Sequence, residues 1–309
     1  MIDATIAKTP SNKPFFFKYI GLLIFILLRI RHLLRGYRWP RTFSINEFEK
    51  AVNYDLHVVE HWLNVYSKYA GESMTLEGKS VLELGPGADL GIGLILLLKG
   101  AKRYNAIDVN NLVKSVPDGF YKELFRRLEA LPGERVRSIG ELQKQLSLSK
   151  AGNNDRLNYV WSKTFAIADA FSHEPVDIVF SQAAFEHFDD PAQTISEMSA
   201  VVRSGAILIA EIDLKTHTKW IRDADPLNIF RYSDAIYNML KFRGAPNRVR
   251  PFEYKKLLED NGWHNVMIIP LTVLDDVYLL SVLPGLNRRF QQKENQMQCL
   301  SIMICATKK

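Results

Sequence analysis

The segment Val81-Leu-Glu-Leu-Gly85-Pro-Gly87-Ala-Asp-Leu-Gly91 holds the residue types whose spacing points most sharply to chemistry. It reads as a strand that ends in a glycine turn and enters a helix. Glycines there let backbone come close to a ligand and leave the helix N-terminus open to it. A dinucleotide fingerprint places its third glycine at position 90, which is Leu, and Pro86 removes an amide that a pyrophosphate would use. Twenty-one residues after Gly87 the next strand ends Ala106-Ile107-Asp108, setting a carboxylate beside the turn where it can accept both hydroxyls of a ribose. With Glu83 two residues before the first glycine, the set fits a ligand that carries a ribose and a positive charge but no phosphates.

S-adenosylmethionine is such a ligand. From these residues the chain resembles the class I S-adenosylmethionine-dependent methyltransferases, in particular the small-molecule, type 11-like group with a Glu-Leu-Gly-x-Gly first motif. The likeness covers residues 79–213 and, more loosely, the rest of the chain. Val176-Asp-Ile-Val-Phe-Ser-Gln-Ala-Ala-Phe-Glu-His-Phe-Asp-Asp-Pro191 matches the fourth-strand motif and Val202-Arg-Ser-Gly-Ala-Ile-Leu-Ile-Ala-Glu-Ile-Asp213 the fifth. The resemblance implies an α/β fold with a Rossmann-like, seven-stranded, mostly parallel sheet, an antiparallel last strand and helices on both faces. It also implies that Glu83, Gly85 and Gly87 line the methionine end of the cofactor, that Asp108 holds the ribose, and that Ser181 and Gln182 stand near the transferable methyl. The adenine position falls on residues 162–164 if the third strand is 157–161, and on Asp169 in a later register. Ser204-Gly205 replaces the family's glycine pair before the fifth strand.

Two readings stand for Glu186-His187: His187 is a base that deprotonates the acceptor, or Asp190-Pro191 caps the following helix and His187 packs at its start. Metal-dependent relatives resemble Glu-x-x-Glu-His at this point, and Ala183 takes the place of the first Glu, so no metal site is expected. Methyl transfer asks mainly for in-line positioning and exclusion of water. The acceptor pocket is expected in residues 214–250, which hold His217, Arg231, Tyr232 and Arg248. These could bind an anionic or sugar-containing acceptor, or form a lid with solvated charges.

The elements that would position these groups follow from periodicity. Apolar strand-like runs at 80–84, 103–107, 157–161, 176–181 and 206–212 alternate with helical runs, which predicts a parallel sheet covered on both faces. Helix 253–261, ending on Asn261-Gly262, and strands at 266–269 and 300–306 complete it. Upstream, Ser44 and Glu47 make a capping box for a helix whose apolar positions continue to about residue 69. The division is 1–41 as a membrane-associating segment, 42–78 as a helical extension and 79–309 as the methyltransferase domain, with 214–250 its lid.

A chain of 309 residues that is 47% apolar and 24% charged excludes disorder as its main state. Cys299 and Cys305 lie roughly 20 Å apart on one predicted strand, too far for a disulfide. The net charge of +6 sits in the tail, where residues 1–41 carry eight basic side chains against Asp3, leaving −1 for the remainder. No nucleic-acid partner is expected from that distribution.

Within the tail, Tyr19 to Leu28 is an uninterrupted apolar run, shorter than the ~20 residues of a membrane span. Arg31, Arg35 and Arg38 then alternate with Ile30, Leu33, Leu34 and Tyr37 as in a basic helix lying on an anionic lipid surface. The expectation is a membrane-surface or short inserted anchor at the cytoplasmic face; the alternative is a helix packed on the catalytic domain or on a second subunit. Residues 279–290, apolar with Arg288 and Arg289, are either a second membrane contact or a buried loop helix. The reading of function is S-adenosylmethionine-dependent methyl transfer to a small-molecule or lipid-linked acceptor. A nicotinamide-dependent oxidoreductase, which Leu90 opposes, and a non-catalytic membrane scaffold of the same fold are the alternatives.

Overall fold

The computed structural model describes residues 4–8, 15–35, 44–71, 75–131, 137–173 and 175–309. Its sheet has eight strands: β1 (Thr5–Ile6), β2 (Ser80–Leu84), β3 (Arg103–Asp108), β4 (Leu157–Trp161), β5 (Val176–Gln182), β6 (Val202–Asp213), β7 (Trp263–Val273) and β8 (Cys299–Lys308). Their order is β1-β7-β8-β6-β5-β2-β3-β4. Strands β2 to β6 pair in parallel, and β8 runs antiparallel between β6 and β7. Seven strands are expected from the family likeness; the eighth is β1, which pairs Thr5 and Ile6 with Thr272 and Val273 at the sheet edge. Two residues are too few to register as an apolar run.

Helices α1 (Phe15–Arg35), α2 (Phe48–Ala70), α3 (Gly91–Leu98), α4 (Asp118–Ala130), α5 (Ile139–Lys150), α6 (Ile167–Phe171), α7 (Pro191–Val201), α8 (Lys219–Arg222), α9 (Asp234–Leu240), α10 (Pro251–Asp260) and α11 (Asp276–Val282) surround the sheet. The period-two alternation of the strands divides the core. Val81 packs into one apolar layer with side chains of α2 to α5, while Leu82 and Leu84 pack into the other with α6, α7 and α10. Helix α3 is buried on every side, as its sequence Gly-Ile-Gly-Leu-Ile-Leu-Leu-Leu requires. Both cysteines are buried free thiols.

The sheet turns back at β2, with β3 and β4 on one side and β5 and β6 on the other. The carboxyl ends of strands at such a reversal leave a crevice. The loops that open there follow β2, β3 and β5, and they carry Gly85, Asp108 and Glu186-His187.

Helix α2 begins one turn later than its capping signal. Ser44 donates its N–H and its hydroxyl to the Glu47 carboxylate at 2.8 and 2.9 Å, and a 3-10 turn, Ile45–Glu47, leads into Phe48. Its buried residues include Val52, Val58, Val59 and Trp62, and among them the charged Asp55.

Helix α1 docks by one face only. The Phe25 ring lies 5.3 Å from that of Tyr237 and 6.0 Å from that of Phe242, and His32 stacks on Phe242 at 4.1 Å. Asn228 donates to the Phe17 carbonyl at 2.8 Å and the Tyr232 hydroxyl to that of Lys18 at 2.9 Å. Gly21 makes that approach possible, since a Cβ there would meet the Asn228 amide at 2.2 Å. On the opposite face Ile20, Leu23, Leu27, Ile30 and Leu34 are exposed. Packing on the domain, one of the two alternatives for the tail, thus describes one face of this helix. No described helix is long and apolar enough to cross a membrane. Tyr37, Arg38 and Arg41 of the basic stretch lie outside the described residues. Of residues 279–290, Val282, Leu286 and Phe290 are buried and Arg289 pairs with Asp234 and Glu253, as in the buried-loop reading.

Candidate functional site

The glycine turn after β2 is built as its residue types require. Gly85 has φ +74°, and a Cβ there would come within 2.7 Å of the Ala184 methyl, so both conformation and space demand glycine. Gly87, at φ +79°, has open space where a side chain would stand. Its N–H donates to Asp108 Oδ2 at 3.3 Å, while the Asn110 N–H donates to Oδ1 at 2.6 Å. Asp108 at the end of β3 is therefore held at the lip of the turn. Burial pushes its carboxyl up to about 6 against those backbone donors, which favour the charged form.

Behind the turn lies an acidic cluster that the sequence discloses only in part. Glu83 is buried, accepts the Tyr104 hydroxyl at 2.6 Å, and is pushed up to about 8, chiefly by burial. Asp89 accepts the Gly91 N–H at 2.7 Å, and burial raises it to about 6. Asp55, from α2, stands within hydrogen-bond reach of Asp89, and its Oδ2 has no partner among the described residues. Burial first and the charge of Asp89 second hold Asp55 well above the ordinary carboxylate range. Asp89 falls inside the first motif and was open to notice; Asp55 precedes the motif by 26 residues, and its one signal is a charge on the apolar face of α2. Orphaned buried carboxyl oxygen beside an open glycine turn and a diol acceptor fits a cationic nucleoside ligand.

At the end of β5, Ser181 is fully buried and donates its hydroxyl to the Leu84 carbonyl at 3.0 Å, tying β5 to the glycine strand. Gln182 Oε1 accepts the indole N–H of Trp62 at 3.1 Å, and that indole stacks on Phe180 at 4.7 Å. Glu186 and His187 follow on the 3-10 turn Phe185–His187, and Asp190 caps α7 by accepting the Gln193 N–H at 3.0 Å. The His187 and His217 rings lie 4.8 Å apart. Burial, with His217 second, pushes His187 down to about 4. Such an imidazole is neutral at pH 7 but a weak proton acceptor, which detracts from its role as base.

The lid corrects the acceptor set. Arg231 is buried in a bidentate pair with Asp225 at 2.7 and 2.9 Å. Tyr232 is buried with its hydroxyl between the Lys18 carbonyl and Asn228 Oδ1. Arg248 is buried, donates to the Ile229 and Tyr232 carbonyls at 3.1 and 2.9 Å, and pairs with Asp234. All three are taken up by internal contacts instead of facing an acceptor, and the charges of the two arginines are paired, not solvated. His217 alone of the four stays partly open, 3.5 Å from Asp213 Oδ2. Asp169 is likewise displaced. Strand β4 ends at Trp161, the earlier of the two registers, with the Ser162 N–H bonded to the Asp108 carbonyl at 3.0 Å, and this leaves Asp169 exposed on α6.

The family model for a methyltransferase domain matches residues 119–210, from α4 through most of β6 and beyond the glycine turn and Asp108. Among solved structures, the chain is similar to the CurJ carbon methyltransferase, with 15% identity over 96% of this chain and 68% of that one and a TM-score of 0.45. It is similar to Haemonchus contortus phosphoethanolamine N-methyltransferase 2 in complex with S-adenosyl-L-methionine, with 13% identity over 83% and 52% and a TM-score of 0.43. A chain of the complex between the Haloferax volcanii Trm112 methyltransferase activator and a methyltransferase gives 14% identity over 85% and 97%, with a TM-score of 0.43. No curated protein matches.

Proposed function

We propose that the chain is a class I S-adenosylmethionine-dependent methyltransferase, a reading supported by the methyltransferase-domain match over residues 119–210 and by the sheet order, and that it methylates a small-molecule or lipid-linked acceptor while α1 rests on the cytoplasmic face of a membrane. S-adenosylmethionine, when bound, supplies an electrophilic methyl on a sulfonium, so the protein's part is to bind, orient and exclude water. Asp108 accepts the ribose hydroxyls as a carboxylate. Of the buried cluster, Asp89 carries the negative charge near pH 7, and a positively charged methionine end seated across the open backbone of Gly85 and Gly87 favours ionisation of Glu83 beside it. Trp62, fixed by Gln182 and Phe180, walls the methyl side.

The observation that carries the membrane reading is the exposed stripe Ile20, Leu23, Leu27, Ile30 and Leu34 on a helix flanked by Arg31 and Arg35. A cavity of about 300 Å³ lined by Arg29, His32, Leu33, Asn110 and Arg243 supports it. That cavity joins the C-terminal half of α1 to Asn110, two residues from Asp108, and its basic and apolar lining suits an anionic, amphiphilic acceptor.

The test supplies S-adenosylmethionine labelled in its methyl group to the purified chain with membranes and separates organic from aqueous products. Label entering the organic fraction with the wild-type chain but not with Asp108→Ala is the expected result. Transfer confined to water-soluble products, unaffected by removing the membranes, would overturn the membrane half of the proposal.

A further inference from the structure

We infer that Glu186, His187 and His217 form a binding site for one divalent transition cation. Their donor atoms all lie within 4.8 Å of one another. The Glu186 side chain is 2% exposed, and neither of its carboxyl oxygens has a hydrogen-bond partner among the described residues. A carboxyl buried with both oxygens unsatisfied is costly and rare, and a cation seated between it and two imidazoles would satisfy it.

The spacing suits an ion. His217 Nε2 lies 3.9 Å from Glu186 Oε1 and 3.5 Å from Asp213 Oδ2. Ligands bound at about 2.1 Å in tetrahedral geometry sit roughly 3.4 Å apart, so small side-chain movements close the site. His187 Nδ1 has no hydrogen-bond partner among the described residues, which leaves it open to an ion. Asp213, held by Arg222 at 2.6 Å, adds negative charge at the rim.

Two imidazoles and one carboxylate select zinc, manganese, iron, cobalt or nickel over magnesium or calcium. The donors come from the turn after β5 and the loop after β6, neighbouring parallel strands that fix their separation. Thirty residues divide His187 from His217, which is why the missing carboxylate at Ala183 reads in sequence as the absence of a site.

Binding of the ion is read directly, so the inference stands or fails apart from methyl transfer. The chelator-treated full chain is titrated with Co²⁺ by visible absorption and with Zn²⁺ by calorimetry. The expected result is one ion per chain with micromolar or tighter affinity, weakened at least 100-fold in His217→Ala and in Glu186→Gln. Thermal melts of both variants without metal check that they are folded; should either fail to fold, His187→Ala replaces it. No saturable binding would overturn the site. So would binding that persists in the folded variants, as at His57 and His61, whose rings lie 6.3 Å apart on α2.

Discussion

Asp108 has two partners to satisfy: the backbone amides that hold it at the glycine turn and the ribose that it is proposed to bind. Only its carboxylate can accept from both. Since burial raises it to about 6, affinity for S-adenosylhomocysteine should be constant near pH 8 and fall by about tenfold per pH unit well below that value. Calorimetry between pH 5 and 8 reads this directly, and a flat profile would remove Asp108 from the site. Gly85 makes a second residue-scale prediction. Gly85→Ala adds a side chain at φ +74° and 2.7 Å from Ala184, which should cost about 2–3 kcal/mol and lower Tm by roughly 4–8 °C in a thermal melt. The glycine turn and Asp108 were open to sequence reading because local backbone geometry dictates them. Arg231, Tyr232 and Arg248 were not, because an arginine or tyrosine in a loop has the same local pattern whether it faces a ligand or closes a buried pair. Their partners Asp225, Asn228 and Asp234 decide the matter.

Helix α1 shows how an element carries two signals at once. Its apolar run is wide enough to cover both the lid and a lipid surface, and periodicity alone does not say which residues face which. Docking does: Gly21, Phe25 and His32 share the face against Asn228, Tyr237 and Phe242. Leu23→Glu combined with Leu27→Glu should therefore leave the melting curve unchanged while abolishing co-flotation with vesicles containing anionic lipid. Flotation unaffected by this double change would contradict the membrane role of the exposed stripe. Conversely, Phe25→Ala should cost about 2–4 kcal/mol of docking and make α1 more sensitive to limited proteolysis.

Across the whole molecule, the strands and their alternation with helices follow from runs of apolar residues and the antiparallel last strand from the family likeness, whereas the strand order with its reversal at β2, and β1, are seen only in the structure. The acidic cluster was not, since Asp55 meets Asp89 only after α2 packs on α3. That cluster has a consequence for stability. Glu83, Asp89 and Asp108 have folded-state values above their unfolded ones, so folding favours their protonated forms. Their contribution is complete at about pH 4 and is lost as pH rises through about 6 for the two aspartates and about 8 for Glu83. On this account the ligand-free chain melts several degrees higher near pH 5 than near pH 8, and the cationic ligand narrows the difference; a melting temperature that rises steadily from pH 5 to 8 would contradict it.

The glycine turn and Asp108 together form the proposed cofactor site. Calorimetric titration of S-adenosylhomocysteine into the wild-type chain and into Asp108→Ala at pH 7.5 tests that claim most directly. The prediction is one saturable site in the wild type and a loss of about 30- to 150-fold, or 2–3 kcal/mol, in a variant whose melting curve is retained. Equal affinity in both proteins, or binding of NAD with none of S-adenosylhomocysteine, would contradict it.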